Sequence, residues 1–298
     1  MNGKSEKSKM SRRNFLCTAL AAAATASLGK ISQASALWPM KLSTSSLQFR
    51  SLGIEKTCQI IGQLGFEAID IWAKFDWGGP CRHLEEVLEE IGPDKFAQIL
   101  ADNKLKLYAA TMYSDRYERY ADMLGKLGGC VVIRSSDKPC KPDELTANMK
   151  RLLESLKPQL ELAEKNNSYI AIENHEGSLL DSLDSFKTFV DLNRHPRLGI
   201  ALAPFHIQHN KESVEQAIGI TGKQLLFFYA WQNTKDAKGV KQLSGLGPAD
   251  FKPWLAELAR INYKWYVNPF MHHEPGPDEM RKALEKSRDY LLKSNQTI

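Results

Sequence analysis

The chain has 298 residues, 43% of them hydrophobic and 25% charged, which suits a folded globular protein and excludes a disordered or collagen-like one. Its formal net charge of +5 is unevenly placed: six of the 40 Lys/Arg but only one of the 35 Asp/Glu fall within residues 1–36. The rest of the chain is balanced, with 34 of each sign. Such a domain offers no global field to a phosphate backbone, so nucleic acid is not expected as a partner.

Taken from the N-terminus, Ser11-Arg12-Arg13-Asn14-Phe15-Leu16 leads into an apolar or small-residue run ending at Leu28, and Ala34-Ser35-Ala36 is a small-x-small cleavage site. The run of 14 residues is shorter than the roughly 20 needed to span a bilayer. The segment resembles a twin-arginine export signal. It implies a signal peptide over 1–36, a domain over 37–298 and a periplasmic location. No segment after the signal is long and apolar enough to cross a membrane. Of the four cysteines left after cleavage, Cys58, Cys81, Cys130 and Cys140, no two form a CxxC. That excludes a zinc ribbon or thiol redox motif and predicts buried thiols.

Beyond residue 40, short strand-like runs alternate with longer helical patterns, the signature of βα units around a parallel sheet. Strands are predicted over 41–49, 68–72, 105–113, 130–134, 169–173, 198–203, 225–231 and 265–270. Helical spacing of apolar residues fills 54–64, 84–103, 117–127, 142–165, 183–192, 213–220, 248–260 and 277–294. An open doubly wound sheet is the alternative. No Gly-rich phosphate loop follows the first strand, where Phe49-Arg50-Ser51-Leu52-Gly53 stands, and eight strands fit closure. The expectation is one (β/α)8 TIM barrel.

In such a barrel the working residues lie at the C-terminal ends of strands. Six of the seven histidines fall there: His83, His175, His206, His209, His272 and His273, with His195 at the opposite face. The sharpest signal is Tyr169-Ile-Ala-Ile-Glu173-Asn174-His175-Glu176, an apolar strand ending abruptly in a carboxylate, an amide and an imidazole. A carboxylate there can hold a divalent cation or take a proton from a carbon beside a carbonyl. The next strand ends in Ala203-Pro204-Phe205-His206, the seventh in Trp231-Gln232-Asn233, and the eighth in Asn268-Pro269-Phe270-Met271-His272-His273-Glu274. Trp72, Trp77, Tyr113, Phe205 and Trp231 suit stacking on a sugar ring.

At these residues the chain resembles the xylose isomerase-like barrels, specifically the sugar phosphate isomerase/epimerase group. Leu64-Gly-Phe-Glu-Ala-Ile-Asp-Ile71, Glu173-Asn174-His175, the stretch from Gly199 to His206 and Gly245-x-Gly247 up to Phe251 carry the likeness. The resemblance implies one divalent metal held by Glu, Asp, His and Glu from four successive strands, with the two Glu residues moving a proton on a keto-sugar. Glu173 matches the first ligand. Ala203 stands where the Asp is expected, Trp231 and Gln232 where the His is expected, and Asn268 where the second Glu is expected. Alanine cannot coordinate, and an asparagine amide is no base near neutral pH.

The reading that follows is an exported sugar isomerase- or epimerase-type enzyme that abstracts a proton next to a sugar carbonyl, with Glu173 and His206 catalytic. His175, Trp72, Trp231, Gln232 and Asn268 are assigned to the substrate. Glu173, His272 and His273 are the expected ligands of one divalent metal, Mn, Zn, Fe or Ni, since imidazole suits these ions. Two alternatives stand beside it: a keto-sugar lyase on the same barrel, and a non-catalytic sugar-binding barrel without a metal. The expected partner is a small-molecule sugar.

Overall fold

The computed structural model describes residues 37–74, 81–113, 117–233 and 239–298. The export signal expected over 1–36 and Trp77 lie outside the described residues. Residues Trp38–Ile298 form one compact unit. Among the described residues, eight parallel strands close into a barrel in sequence order: β1 Lys41–Ser45, β2 Ala68–Trp72, β3 Lys106–Thr111, β4 Val131–Ser135, β5 Tyr169–Glu173, β6 Leu198–Leu202, β7 Leu225–Ala230 and β8 Tyr266–Pro269. Closure is made by β1 on β8, with Lys41 opposite Tyr266 and Leu42 opposite Val267. No helix among the described residues is long and apolar enough to cross a membrane.

Side chains alternate in and out along each strand, and the barrel divides them into two cores. Ile69, Ile71, Val132, Ile170, Ile172, Ile200, Leu202 and Phe228 point outward and pack under the helices. Ala68, Trp72, Ala109, Val131, Ile133, Ala171, Ala201, Phe227 and Tyr229 fill the interior. Small residues on β5 and β6 face large aromatics on β7, so the interior closes without a pore. Gly199 is part of that fit: a Cβ there would lie 2.2 Å from the Gln224 carbonyl oxygen.

Three differences from the sequence expectation have local causes. The run 41–49 is half strand, because Ser46–Phe49 turns as a 3-10 helix. The helical patterns 84–103 and 142–165 each break where a proline removes a donor. The first gives His83–Glu86, a π turn over Val87–Ile91 and, after Gly92 at φ +80°, Pro93–Asp102. The second gives Leu145–Ser155 and Lys157–Lys165, with Pro158 in the first turn of the latter. A further short helix, Pro204–His209, follows β6 directly, with Pro204 in its first turn. It carries His206 to the barrel mouth. Cys58, Cys81 and Cys130 are buried free thiols, and Cys140 is half-buried.

Candidate active site

A cavity of about 1140 Å³ opens at the C-terminal end of the barrel. Glu173, the last residue of β5, reaches it as an inward-facing side chain in an otherwise apolar strand. Tyr113 and Tyr229 both donate to its Oε2, at 2.8 and 3.1 Å. No hydrogen bond reaches Oε1 among the described residues. Burial pushes this carboxyl up to about 8, against the two phenol donors, which favour the ionised form.

A second buried carboxyl lies deeper. Asp70 of β2 accepts from Ser45 Oγ at 2.6 Å and Trp72 Nε1 at 2.5 Å on one oxygen, and from Thr111 Oγ1 at 2.8 Å on the other. Burial raises it to about 7, the three hydrogen bonds opposing. Asp70 is not on the cavity wall, because Trp72 stacks on Phe270 above it with ring centroids 5.4 Å apart.

The imidazoles sort themselves. His175, His206, His272 and His273 line the cavity. His83 is buried in packing, 2.7 Å from the Leu52 carbonyl oxygen and 3.4 Å from Cys81 Sγ. His209 is exposed at the end of its short helix, and His195 lies 3.5 Å from Glu164 just before β6 begins. His206 is almost wholly buried, with Nδ1 on the Glu176 carboxylate and its ring 4.1 Å from that of His175. Burial, then the neighbouring His175, keeps its cationic form disfavoured.

Trp231 reaches the cavity and stacks on Phe205 at 4.1 Å, its Nε1 held by Gln242 Oε1 at 2.7 Å. Of the other residues assigned to substrate, His175 lines it and Trp72, Gln232 and Asn268 do not. Trp72 covers Asp70. The Gln232 amide donates to the Leu243 carbonyl at 2.8 Å and accepts from the Ala249 N–H at 2.8 Å. Asn268 is tied to Ser43 Oγ at 3.0 Å and accepts from Ser45 Oγ at 3.2 Å. Arg50 and Glu274, 3.3 Å apart, complete the rim, and neither Glu274 oxygen makes a hydrogen bond among the described residues.

The four-ligand metal site implied by the resemblance does not fit these side chains. Ala203 is fully buried among apolar neighbours, Asn268 spends its amide on two serines, and Trp231 spends its N–H on Gln242. Glu173 does not converge with His272 and His273. Among the described residues, donor atoms of three or more such side chains come together only at His175, Glu176 and His206. Glu176, Tyr229 and Asp70 are the residues that sequence reasoning did not assign. Tyr229 was within reach of it, since it shares the inward register of Phe227 and Trp231.

A family model described as xylose isomerase-like TIM barrel matches residues 58–291. No curated protein is significantly similar in sequence. Among solved structures the chain is similar to the 3-keto-D-glucoside 4-epimerase YcjR of E. coli, with TM-score 0.65, 16% identity, and 84% of this chain and 99% of that one covered. It is similar to the D-psicose 3-epimerase of Clostridium cellulolyticum H10 with D-tagatose, with TM-score 0.68, 15% identity and coverage of 86% and 99%. It is also similar to the probable 3-DHS dehydratase AsbF of Bacillus anthracis, with TM-score 0.66, 15% identity and coverage of 85% and 99%. With the closed eight-stranded barrel and a family match over most of the chain, the protein belongs to the xylose isomerase-like TIM barrel family.

Proposed function

We propose that the protein is an exported sugar-modifying enzyme in which Glu173 moves a proton at a carbon next to a sugar carbonyl. The observation that carries this reading is the placement of Glu173: buried at the cavity wall, its Oε2 held by Tyr113 and Tyr229, its Oε1 without a hydrogen bond among the described residues. A carboxyl held that way is oriented by two donors and retains one oxygen for the substrate. Trp231 and Phe205, stacked on each other, supply the apolar face a sugar ring needs, and His175 and His206 give the cavity wall beside them a polar character.

Where the resemblance implies a second carboxylate for a two-base epimerisation, Asn268 stands, buried off the cavity and bound to two serines. One base on one face suffices for two reactions. In isomerisation, Glu173 takes the C–H proton, the electron pair moves onto the carbonyl oxygen to give an enediolate, the hydroxyl proton passes to that oxygen, and Glu173 returns its proton to the adjacent carbon. In β-elimination, the same abstraction is followed by loss of an oxygen substituent, which leaves with the proton. Asn268 at the position of the second carboxylate favours these over a two-carboxylate epimerase, and the similarity to a dehydratase is in keeping with the second. Export rests on the Ser11-Arg12-Arg13-Asn14-Phe15-Leu16 signal. It makes a free or glycosidic sugar a better candidate than a phosphorylated cytosolic one.

The test is proton exchange. Aldoses, ketoses and 3-keto-glycosides are incubated with the protein in D2O and followed by NMR for deuterium at the carbon beside the carbonyl. Exchange with at least one class, reduced 100-fold or more in Glu173→Gln, is expected. If no sugar exchanges while sugars bind equally to both proteins, the barrel is a binding module and the enzymatic reading fails.

A further inference from the structure

We propose that His175, Glu176 and His206 form a site for one divalent transition metal on the cavity wall, distinct from the strand-end ligand set that Ala203 and Asn268 have dismantled. One donor atom from each of the three lies within 4.8 Å of the others. The chain brings them together because β5 and β6 are neighbours, with Glu173 opposite Ala201. His175 and Glu176 follow β5 in a tight turn, and His206 sits in the short helix after β6. That turn is braced. The His175 N–H donates to the Leu180 carbonyl at 3.1 Å, and Ser178 Oγ donates to the His175 carbonyl at 2.8 Å. Gly177 at φ +70° lets the chain reverse.

The donor chemistry suits a metal. His175 Nδ1 lies 2.8 Å from the Glu176 carbonyl oxygen. A backbone acceptor there fixes the N–H on Nδ1 and leaves Nε2 as a free lone pair, the arrangement that orients metal-ligating histidines. His206 brings a second, buried imidazole, and Glu176 a carboxylate that already touches it. Metal–nitrogen bonds of about 2.0–2.1 Å put tetrahedral donor atoms roughly 3.3 Å apart. The three side chains would draw closer around an ion, and His175, which is exposed, has room to move. Two nitrogens and one oxygen select Zn²⁺, Fe²⁺, Mn²⁺ or Ni²⁺ over Mg²⁺ and Ca²⁺. Three protein ligands leave a position free, and since all three residues line the cavity, a sugar oxygen or water would occupy it. Only the identity of that oxygen rests on the sugar reading; metal binding does not.

The untagged protein, stripped with a chelator and dialysed, is titrated with ZnCl2 by calorimetry and by competition with a chromogenic chelator. One equivalent is expected to bind. His175→Asn and Glu176→Gln, at exposed and half-buried positions that leave the core intact, are each expected to weaken it at least tenfold, and His206→Ala further. Thermal melts verify that each variant is folded, and His195→Gln is expected to bind as the parent does. Absence of a stoichiometric site overturns the proposal. So does an affinity unchanged in both His175→Asn and Glu176→Gln, which would leave the His206–Glu176 contact as a plain hydrogen bond. The two readings fail separately: zinc bound without sugar exchange sinks the enzyme, and exchange by protein that takes no metal sinks this site.

Discussion

The side-chain amide of Asn174 clasps the peptide of Ala203, accepting from its N–H at 2.7 Å and donating to its carbonyl at 3.2 Å. Both residues are fully buried. The end of β6, where the short helix bearing His206 begins, is thus fixed by the residue that follows Glu173. Asn174→Ala strands the buried Ala203 N–H, while the Ala203 carbonyl keeps the His206 N–H at 3.2 Å, so a loss of about 1–3 kcal/mol is expected. Urea unfolding with an unchanged m-value checks it.

Ala203 occupies a dry position among Ala201, Phe205 and Trp231. Ala203→Asp puts a carboxylate there, where the described neighbours in this core are apolar. An uncompensated buried charge costs about 3–5 kcal/mol, and protonation relieves it. The variant's deficit in thermal stability should therefore be large at pH 8 and small at pH 4. An equal deficit at both pH values would mean that the loss comes from volume alone.

Asp70 makes stability depend on pH. Its folded-state value, raised to about 7 from an ordinary 3.8 mainly by burial, means that the folded protein holds a proton the unfolded chain releases. This contribution is full below about pH 4 and is lost as pH rises through 7. Asp70→Asn keeps the three contacts if its amide oxygen faces Ser45 and Trp72 and its NH2 faces Thr111. The variant's stability should then decline less than the parent's between pH 4 and 7 in denaturant titrations. A parallel decline would show that the carboxyl titrates alike in both states.

Gln242 joins two walls of the cavity. Its Oε1 accepts from Trp231 Nε1 at 2.7 Å, and its amide donates to the His272 carbonyl at 3.0 Å. Gln242→Ala frees both. A buried indole N–H without a partner costs about 1–3 kcal/mol. Near-UV dichroism from Trp231 should weaken while the far-UV spectrum persists. Unchanged near-UV signal would mean that Trp231 is held by its stacking on Phe205.

Export is tested on the precursor. Arg12→Lys with Arg13→Lys should leave uncleaved protein in the cytoplasm, whereas the parent should give a periplasmic form beginning near Leu37. Normal export of the double variant would exclude the twin-arginine route.

The sequence by itself determined the barrel. Period-2 apolar runs alternating with helical patterns leave few ways to bury both faces of eight strands, and inward register put Glu173 and Trp231 at the mouth. Set against the resemblance, it also put Ala203 and Asn268 where carboxylates are expected, since residue type is legible without coordinates. What it could not give was the use of each polar group. Gln232 and Asn268 read as substrate contacts, yet their amides are taken up by Leu243, Ala249, Ser43 and Ser45. The joining of Glu176 to His206, 30 residues apart, and of Tyr113 and Tyr229 on one oxygen of Glu173 depends on strand order and loop course. Hydrogen bonds of this kind are satisfied by whichever partner tertiary folding brings within about 3 Å, and local sequence carries no record of that distance.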